Sequence, residues 1–253
     1  DFDSSTLALD KHFRGAEVAA MRSSWTDDQG LSLGLQAGSN ANLTMHRHVD
    51  LGSFILEASG ERWIIESGKE SETYQLHRNK REKWEFYRLR AEGHNLPFFN
   101  PGESAGQKLD GIAPIRSFSS TPELATAVVD LSDPYDAYVH RLTRTFEMHD
   151  RSYVVLTEEM EAKENLDVWW FLHTLADVSL DADLREATLM LNGKKLRVKI
   201  EEGPLSMNLG VMDAGPLPTS PNPDQADNTG IKKLFIHADG LSQYQLRISF
   251  TPV

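Results

Sequence analysis

The sequence predicts an all-β fold, arranged as a large antiparallel β-sandwich. Short apolar runs of strand length recur along most of the 253 residues, and turn signals rich in glycine, asparagine and aspartate separate them. No segment carries a convincing apolar stripe with helical spacing. A chain of this length can bury a substantial core, and we expect residues 1–253 to form one domain.

The first third of the chain is predicted to contain closely spaced strands. Residues 1–15 read as an irregular lead-in, and strand character begins after Ala16. A tight turn at Ser59-Gly60-Glu61 is expected because Gly60 is free to adopt a positive φ. The predicted strands are 18–25, 31–37, 43–50, 53–58 and 62–66.

Strand signals resume after a loop at 97–111 that prolines and glycines interrupt. Asn192-Gly193 favours a type I′ hairpin turn. Residues 213–230 are rich in proline, asparagine, aspartate and glycine, which predicts a long loop. The predicted strands are 112–118, 125–131, 138–147, 153–160, 166–176, 189–191, 196–200, 205–212, 233–238 and 244–250.

Composition excludes some functions. The sequence has no cysteine, so disulfides and thiolate metal sites are absent, and its formal charge of −12 argues against general nucleic-acid binding. No apolar run is long enough for a membrane span, and we expect no membrane partner. A local basic patch covers 77–83 and continues to Arg88. It could steer an anionic ligand through Arg78 and Arg88, or it could be a solvated loop.

The stretch 45–54 concentrates the polar chemistry. If it is extended, His46, His48 and Asp50 share one face. Imidazole and carboxylate groups suit a divalent cation, and a carboxylate beside an imidazole also suits the orientation of a histidine for proton transfer. Glu66 and His94 interrupt apolar surroundings further along the chain, and a buried charge needs a partner. The spacing leaves both uses open.

Several motifs follow one another in a fixed order along the chain. They are His46-Arg-His48-Val-Asp50-Leu-Gly-Ser-Phe54, Gly60-Glu-Arg-Trp63, Gly68, Tyr74, Tyr87, Gly93-His94-Asn95, Arg144-Thr-Phe146 and Trp169-Trp-Phe-Leu-His173. This combination resembles the C-terminal β-sandwich, or super-sandwich, of the heparinase II/III-like polysaccharide lyases. The resemblance covers most of the chain.

The resemblance implies a zinc site and a role in a lyase cleft. It implies that His48, Glu66 and His94 bind a structural zinc ion, and that His46 helps to stabilise charge on a substrate uronate. The family usually has aspartate where this chain has Glu66. We expect substrate contacts from Tyr74, which could line the cleft, and from the two arginines of the basic patch.

The resemblance also implies a partner domain. Family members carry an N-terminal α/α toroid with the catalytic tyrosine, which this sequence does not contain. We therefore expect one wall of a lyase that cleaves heparin-like, alginate-like or other uronate-containing anionic polysaccharides by β-elimination, inactive alone. The implied location is periplasmic or secreted, although no signal peptide is visible in the sequence.

Alternatives remain for each of these interpretations. The chain could be a non-catalytic carbohydrate-binding domain. A cupin-type metalloenzyme also uses His-x-His with Glu and a distant His, but in cupins the glutamate follows within a few residues, whereas Glu66 lies a hairpin away. For His46 the alternative is packing under a loop. For the zinc ligands it is a metal-free hydrogen-bonded cluster, with Asp50 orienting His48.

Overall fold

The computed structural model describes residues 7–41, 48–69 and 83–253, and the regular secondary structure of this part consists almost entirely of β-strands. The strands are β1 (Lys11–Phe13), β2 (Val18–Arg22), β3 (Ser32–Gln36), β4 (Gly38–Ser39), β5 (Phe54–Ala58), β6 (Glu61–Ile64), β7 (Pro97–Phe99), β8 (Ile112–Ala113), β9 (Ile115–Ser120), β10 (Leu124–Asp130), β11 (Val139–His149), β12 (Tyr153–Thr174), β13 (Asp177–Leu180), β14 (Glu186–Leu191), β15 (Lys194–Glu202), β16 (Asn208–Asp213) and β17 (Lys232–Pro252). Short 3₁₀ turns occupy Lys83–Glu85, Tyr87–Leu89 and Ala91–Gly93. No helix of the described residues is long and apolar enough to cross a lipid bilayer.

Within the described residues the strands form two large antiparallel sheets. A five-stranded sheet has the order β1-β2-β3-β5-β6, and a ten-stranded sheet has the path β13-β14-β15-β17-β12-β11-β10-β9, again for the described part of the chain. Strand β16 joins the larger sheet beside β17, and β7 joins it beside β12. The predicted antiparallel β-sandwich is therefore confirmed.

The main hydrophobic core draws on both sheets. Leu33 and Trp63 of the smaller sheet and Phe146 and Trp170 of the larger sheet are buried in the same cluster. Strands β2 and β3 alternate buried and half-buried residues, as expected when one face of a sheet covers a core. A smaller cluster includes Phe171. Because Phe171 is adjacent to Trp170 on β12, the two clusters lie on opposite faces of this strand.

Strands β12 and β17 lie side by side at the centre of the larger sheet. They contain 22 and 21 residues and pair with each other along most of their length. The sequence predicts each of them as two separate strands, and this division is wrong. The pairing register shifts between Glu161 and Leu166, where most of the intervening side chains are exposed. An irregularity in a continuous strand therefore accounts for the break in the apolar pattern.

Two local predictions have clear outcomes in the structure, and one strand has no counterpart in the prediction. The Asn192-Gly193 hairpin is confirmed: the two residues have φ of 50° and 78° and connect β14 to β15. The lead-in predicted over 1–15 contains β1, so it is not irregular throughout. Strand β13 was not predicted, because its half-exposed residues give a weak apolar signal.

The strand predicted over 43–50 is wrong at its described end, where the chain turns. Gly52 has a φ of 91°, and a Cβ atom there would lie 2.7 Å from the side chain of Leu131. Glycine adopts this positive φ without strain, and it has no Cβ atom to clash with Leu131. The backbone N–H of Val49 donates to the carbonyl of Leu89 at 2.8 Å instead of to a neighbouring strand.

A buried ion pair connects the larger sheet to this turn. The Arg144 guanidinium contacts Glu158 at 2.5 Å, and both side chains are fully buried. Arg144 also donates to the carbonyls of Gly52 at 2.9 Å and Asn95 at 2.7 Å. The Tyr244 hydroxyl donates to the other oxygen of Glu158. These bonds compensate for much of the desolvation of the two charges.

Replacing Arg144 with alanine should lower the free energy of unfolding by about 3–5 kcal/mol, because Glu158 would be left buried without its cation. Arg116→Ala is the matched control, since Arg116 pairs with Asp130 on an exposed edge and should cost less than about 1 kcal/mol. Urea unfolding followed by circular dichroism measures both. Equal losses in the two variants would contradict a special role for the buried pair.

Candidate functional site

The candidate site lies where three segments of the chain meet at the end of β12. The turn before β5 carries His48, the chain leaving β6 carries Glu66, and His94 follows the 3₁₀ turn Ala91–Gly93. A backbone hydrogen bond of 2.9 Å from Ile65 N to the His173 carbonyl fastens the exit of β6 to β12. Side chains that are far apart in sequence therefore share one site.

The buried side chain of Asn95 connects these segments. Its Nδ2 donates to the carbonyls of Phe54 and Ile65, each at 2.8 Å, and lies 3.1 Å from Oε1 of Glu66. Its Oδ1 accepts a 2.8 Å bond from the backbone N–H of His173. One amide group thus satisfies polar atoms of β5, of the chain leaving β6 and of β12.

Glu66 and His94 form a hydrogen-bonded pair in this site. Glu66 accepts from Nδ1 of His94 and from the Ser53 hydroxyl. Burial opposes charge on Glu66, but attraction to His94 and the two hydrogen bonds outweigh it, and the pKa of Glu66 is lowered. Burial also opposes charge on His94, yet the carboxylate raises the pKa of His94 above its ordinary value. Each group therefore favours the charged form of the other.

His48 is half-buried beside this pair. Its ring centre lies 5.3 Å from that of His94, with the planes inclined by 52°. Burial, together with repulsion from a charged His94, lowers the pKa of His48 to about 4. The His48 ring is therefore neutral at pH 7. A cavity of about 350 Å³ adjoins it, lined by Gln36, His48, Asp50, Glu66, Gly68, Lys69 and His94.

The site fits a zinc ion in its residue types and only partly in its arrangement. Two imidazoles on one tetrahedral zinc have ring centres about 5 Å apart, given Zn–N bonds of about 2 Å. The spacing of His48 and His94 is close to this value. The buried Nε2 of His94 has no hydrogen-bond partner among the described residues. However, the described ranges contain no group of three or more His, Cys, Asp or Glu placed so that it could hold a metal ion.

Glycine is required at position 93 because the backbone is crowded there. A Cβ atom on Gly93 would lie 2.1 Å from the carbonyl oxygen of Tyr87. The tight turn places His94 against Glu66 and buries Tyr87, whose hydroxyl bonds to Nε2 of His173 at 2.6 Å. His173 is thus a hydrogen-bonded core histidine. Tyr87 is a fully buried core residue.

The structure brings together part of the predicted site. His48, Glu66 and His94 line one cavity, as the zinc hypothesis requires. Predicted residues His46, Tyr74 and Arg78 lie outside the described residues, so their roles stay predictions. Arg88 is described, and its guanidinium bonds to other parts of the protein: Nε to Asn228 Oδ1, and Nη1 and Nη2 to the carbonyls of Ser67 and Asp227. Its predicted contact with substrate remains untested.

The sequence did not indicate the roles of Asn95 and Ser53. Asn95 follows the predicted ligand His94, and Ser53 lies at the end of the polar stretch 45–54, but short polar residues are common in turns. The hydrogen-bond partners of the Asn95 side chain are 29 to 78 positions away in the sequence. Only the fold reveals such partners.

The chain matches a known family of domains. The model of the Heparinase II/III-like, C-terminal family matches residues 6–230. The chain therefore belongs to this family. No curated protein sequence gives a match.

Solved structures with the same fold include lyases that are much longer than this chain. Heparinase III, the BT4657 gene product, shares 13% identity at a TM-score of 0.74, and the match covers 97% of this chain and 36% of that one. Heparan sulfate lyase HepC from Pedobacter heparinus shares 14% identity at a TM-score of 0.70, covering 98% and 37%. The chain thus spans only 36–37% of the length of these two lyases.

A third structure, HI1317, shares 8% identity at a TM-score of 0.53, and the match covers 94% of this chain and 93% of that one. At these identities the likeness to all three structures shows the fold alone. In HI1317 the shared fold nevertheless accounts for nearly the entire chain.

The buried His173 predicts a specific pH dependence of stability. Burial lowers the pKa of His173 to about 3, compared with 6.5 in the unfolded chain, so between these values the unfolded state binds a proton that the folded state does not. Acidification therefore favours unfolding through this group. His173→Gln removes this effect. When the pH is lowered from 7.5 to 5, the free energy of unfolding of the variant should therefore rise by about 2 kcal/mol relative to that of the wild type.

Urea unfolding at several pH values measures this difference, and the exposed His140→Gln on β11 controls for the substitution itself. A wild-type-minus-variant difference that does not change with pH would contradict the proposed burial of a neutral His173.

Proposed function

We propose that this domain forms one wall of the substrate cleft of a polysaccharide lyase that acts on uronate-containing anionic glycans. The observation that carries the proposal is the family match over residues 6–230. The other wall would be an N-terminal α/α toroid, consistent with the 36–37% share of the lyases that the chain spans. A periplasmic or secreted location is part of the same proposal.

The proposed reaction is β-elimination at a uronate. A base removes the proton from the carbon next to the carboxylate, the electron pair forms a carbon–carbon double bond, and the glycosidic oxygen leaves with a proton from an acid. The carboxylate side of the sugar gains enolate-like charge, which positive or hydrogen-bonding groups stabilise. We assign this stabilisation to His46. The base and acid belong to the toroid, so the domain is inactive alone.

Substrate contacts from this domain are assigned to Tyr74 and Arg78, whereas the substrate contact that the sequence predicts for Arg88 competes with the bonds that its guanidinium makes within the protein. The half-buried Arg88 lies close enough to His48 to influence its ionisation, as does Lys83. Lys69 lines the cavity beside His48. Cations near the cavity favour an anionic sugar, even though the formal charge of the chain is −12.

We further propose that His48, Glu66 and His94 hold a structural zinc ion. The proposal is supported by their shared cavity, the 5.3 Å spacing of the two rings and the unpartnered Nε2 of His94. Zinc binds neutral imidazole and ionised carboxylate, and its binding free energy adds to folding stability. His48 and His94 would each supply a nitrogen atom, and Glu66 would have to release Nδ1 of His94 to supply a carboxylate oxygen to a zinc ion at Nε2.

Two neighbouring histidine variants separate catalysis from structure. In the complete enzyme, His46→Ala should lower turnover about 100-fold or more while zinc content and thermal stability stay unchanged. His48→Ala should remove zinc and lower the midpoint of thermal unfolding by about 5–10 °C. Mass spectrometry of protein purified without a metal-affinity resin measures zinc, and ultraviolet absorbance of the unsaturated product measures turnover.

The outcomes distinguish the proposals. Loss of zinc or unfolding in His46→Ala would reverse the assigned roles of the two histidines. A zinc-free wild-type protein would reduce the site to a hydrogen-bonded cluster without affecting the fold. Glycan binding with no elimination product, even with the toroid present, would make the chain a carbohydrate-binding domain.

A further inference from the structure

Residues 214–231 between β16 and β17 form a strap that is fastened to the rest of the domain. The sequence predicts a long loop in this region, and the structure closes it at its base with a 3.0 Å bond from Ala214 N to the Ile231 carbonyl. Leu217 and Ser220 of the strap are buried. A loop with buried side chains and a closed base is an ordered part of the fold.

Fully buried charges anchor the first part of the strap. Glu92 Oε1 accepts a 2.5 Å bond from the backbone N–H of Leu217. Lys233 Nζ donates to the carbonyl of Gly215 at 2.6 Å and lies 3.5 Å from Glu92 Oε1. Glu92 lies two residues before His94. The strap is thus attached to the same 3₁₀ turn that precedes the candidate site.

Arg88 anchors the second part of the strap with its planar guanidinium. Nε donates to Oδ1 of Asn228 at 2.8 Å and Nη2 to the carbonyl of Asp227 at 2.9 Å. Nη1 donates to the carbonyl of Ser67 at 3.2 Å. The adjacent backbone N–H of Tyr87 donates to the side chain of Gln225 at 2.5 Å.

The Arg88 contacts connect the strap to the chain that leaves β6. Ser67 directly follows Glu66, so its carbonyl fixes the chain that carries this carboxylate. We infer that Arg88 is a positioning residue, which holds residues 65–69 in place by bonding them to the strap. The expected effect of Arg88 on catalysis rests on the proposed function, whereas its hydrogen bonds to the strap and to Ser67 do not depend on it.

A positioning role and a substrate-binding role respond differently to lysine. The guanidinium presents donors in a rigid fork, and here three of them reach three separate acceptors. A lysine ammonium keeps the charge but cannot span these acceptors. Arg88→Lys should therefore preserve attraction to an anionic glycan and lose the connection between the strap and Ser67.

Hydrogen exchange of the full chain tests the inference without any assay of activity. In Arg88→Lys, amides of residues 65–69 and of the strap from residue 225 to 231 should exchange about tenfold faster or more, since three hydrogen bonds are lost. Asn228→Ala removes one partner without altering the cation and should accelerate exchange in the same segments. Arg62→Lys, an exposed arginine paired with Glu57, is the matched control.

Unchanged exchange in both Arg88→Lys and Asn228→Ala would overturn the positioning role. In the complete enzyme, Arg88→Lys should lower kcat about tenfold with little change in KM. Retained kcat with a raised KM in Arg88→Ala, and normal kinetics in Arg88→Lys, would instead identify a substrate contact. Faster exchange in a protein with no lyase activity would leave Arg88 as a positioning residue and reject the proposed function.

Discussion

The hydrogen bonds of the Asn95 side chain are the constraint on which the candidate site depends. An amide offers two donors and one acceptor on a short stem, and Asn95 uses both kinds of group on β5, on the chain leaving β6 and on β12. Aspartate lacks the donors and leucine lacks all polar atoms. Because the site is buried at this point, a polar atom that loses its bond to Asn95 has no water molecule to bond with instead.

The same region concentrates buried charge, and two of its ion pairs have different surroundings. Arg144 and Glu158 are fully buried in the sandwich and receive further hydrogen bonds, which suits a structural role. Glu66 and His94 border a cavity, and the Glu66 side chain is 27% exposed. A charged pair beside a cavity can exchange a partner for a ligand, which is why the proposed zinc ion is assigned there and not to the arginine pair.

The strand pattern and the turn chemistry could be predicted because they depend on neighbouring residues. Alternating burial in β2 and β3 and the Asn192-Gly193 turn are examples. Predictions were wrong where distant contacts decide the backbone. The turn containing Gly52 replaces a predicted strand end because Leu131 packs against it, and a polar, exposed stretch near Glu161 made one long strand look like two.

The candidate site was predictable to the extent that its residue types are unusual in apolar surroundings. Glu66 and His94 were singled out for this reason, and the structure places them in contact. Asn95 and Ser53 were not, because asparagine and serine are ordinary turn residues and only their remote partners give them a role. The sequence places Arg88 in a basic patch, whereas its three described bonds lead to the strap and to Ser67.

The most direct test of this account is the unfolding free energy of Asn95→Ala, measured with urea beside that of Asn208→Ala, whose side chain makes an exposed bond to the turn before β16. The account predicts a loss of about 3 kcal/mol or more for Asn95→Ala, because the carbonyls of Phe54 and Ile65 and the N–H of His173 would lose their partner. Asn208→Ala should cost less than about 1 kcal/mol. Similar small losses for both variants would contradict the claim that Asn95 holds the site together.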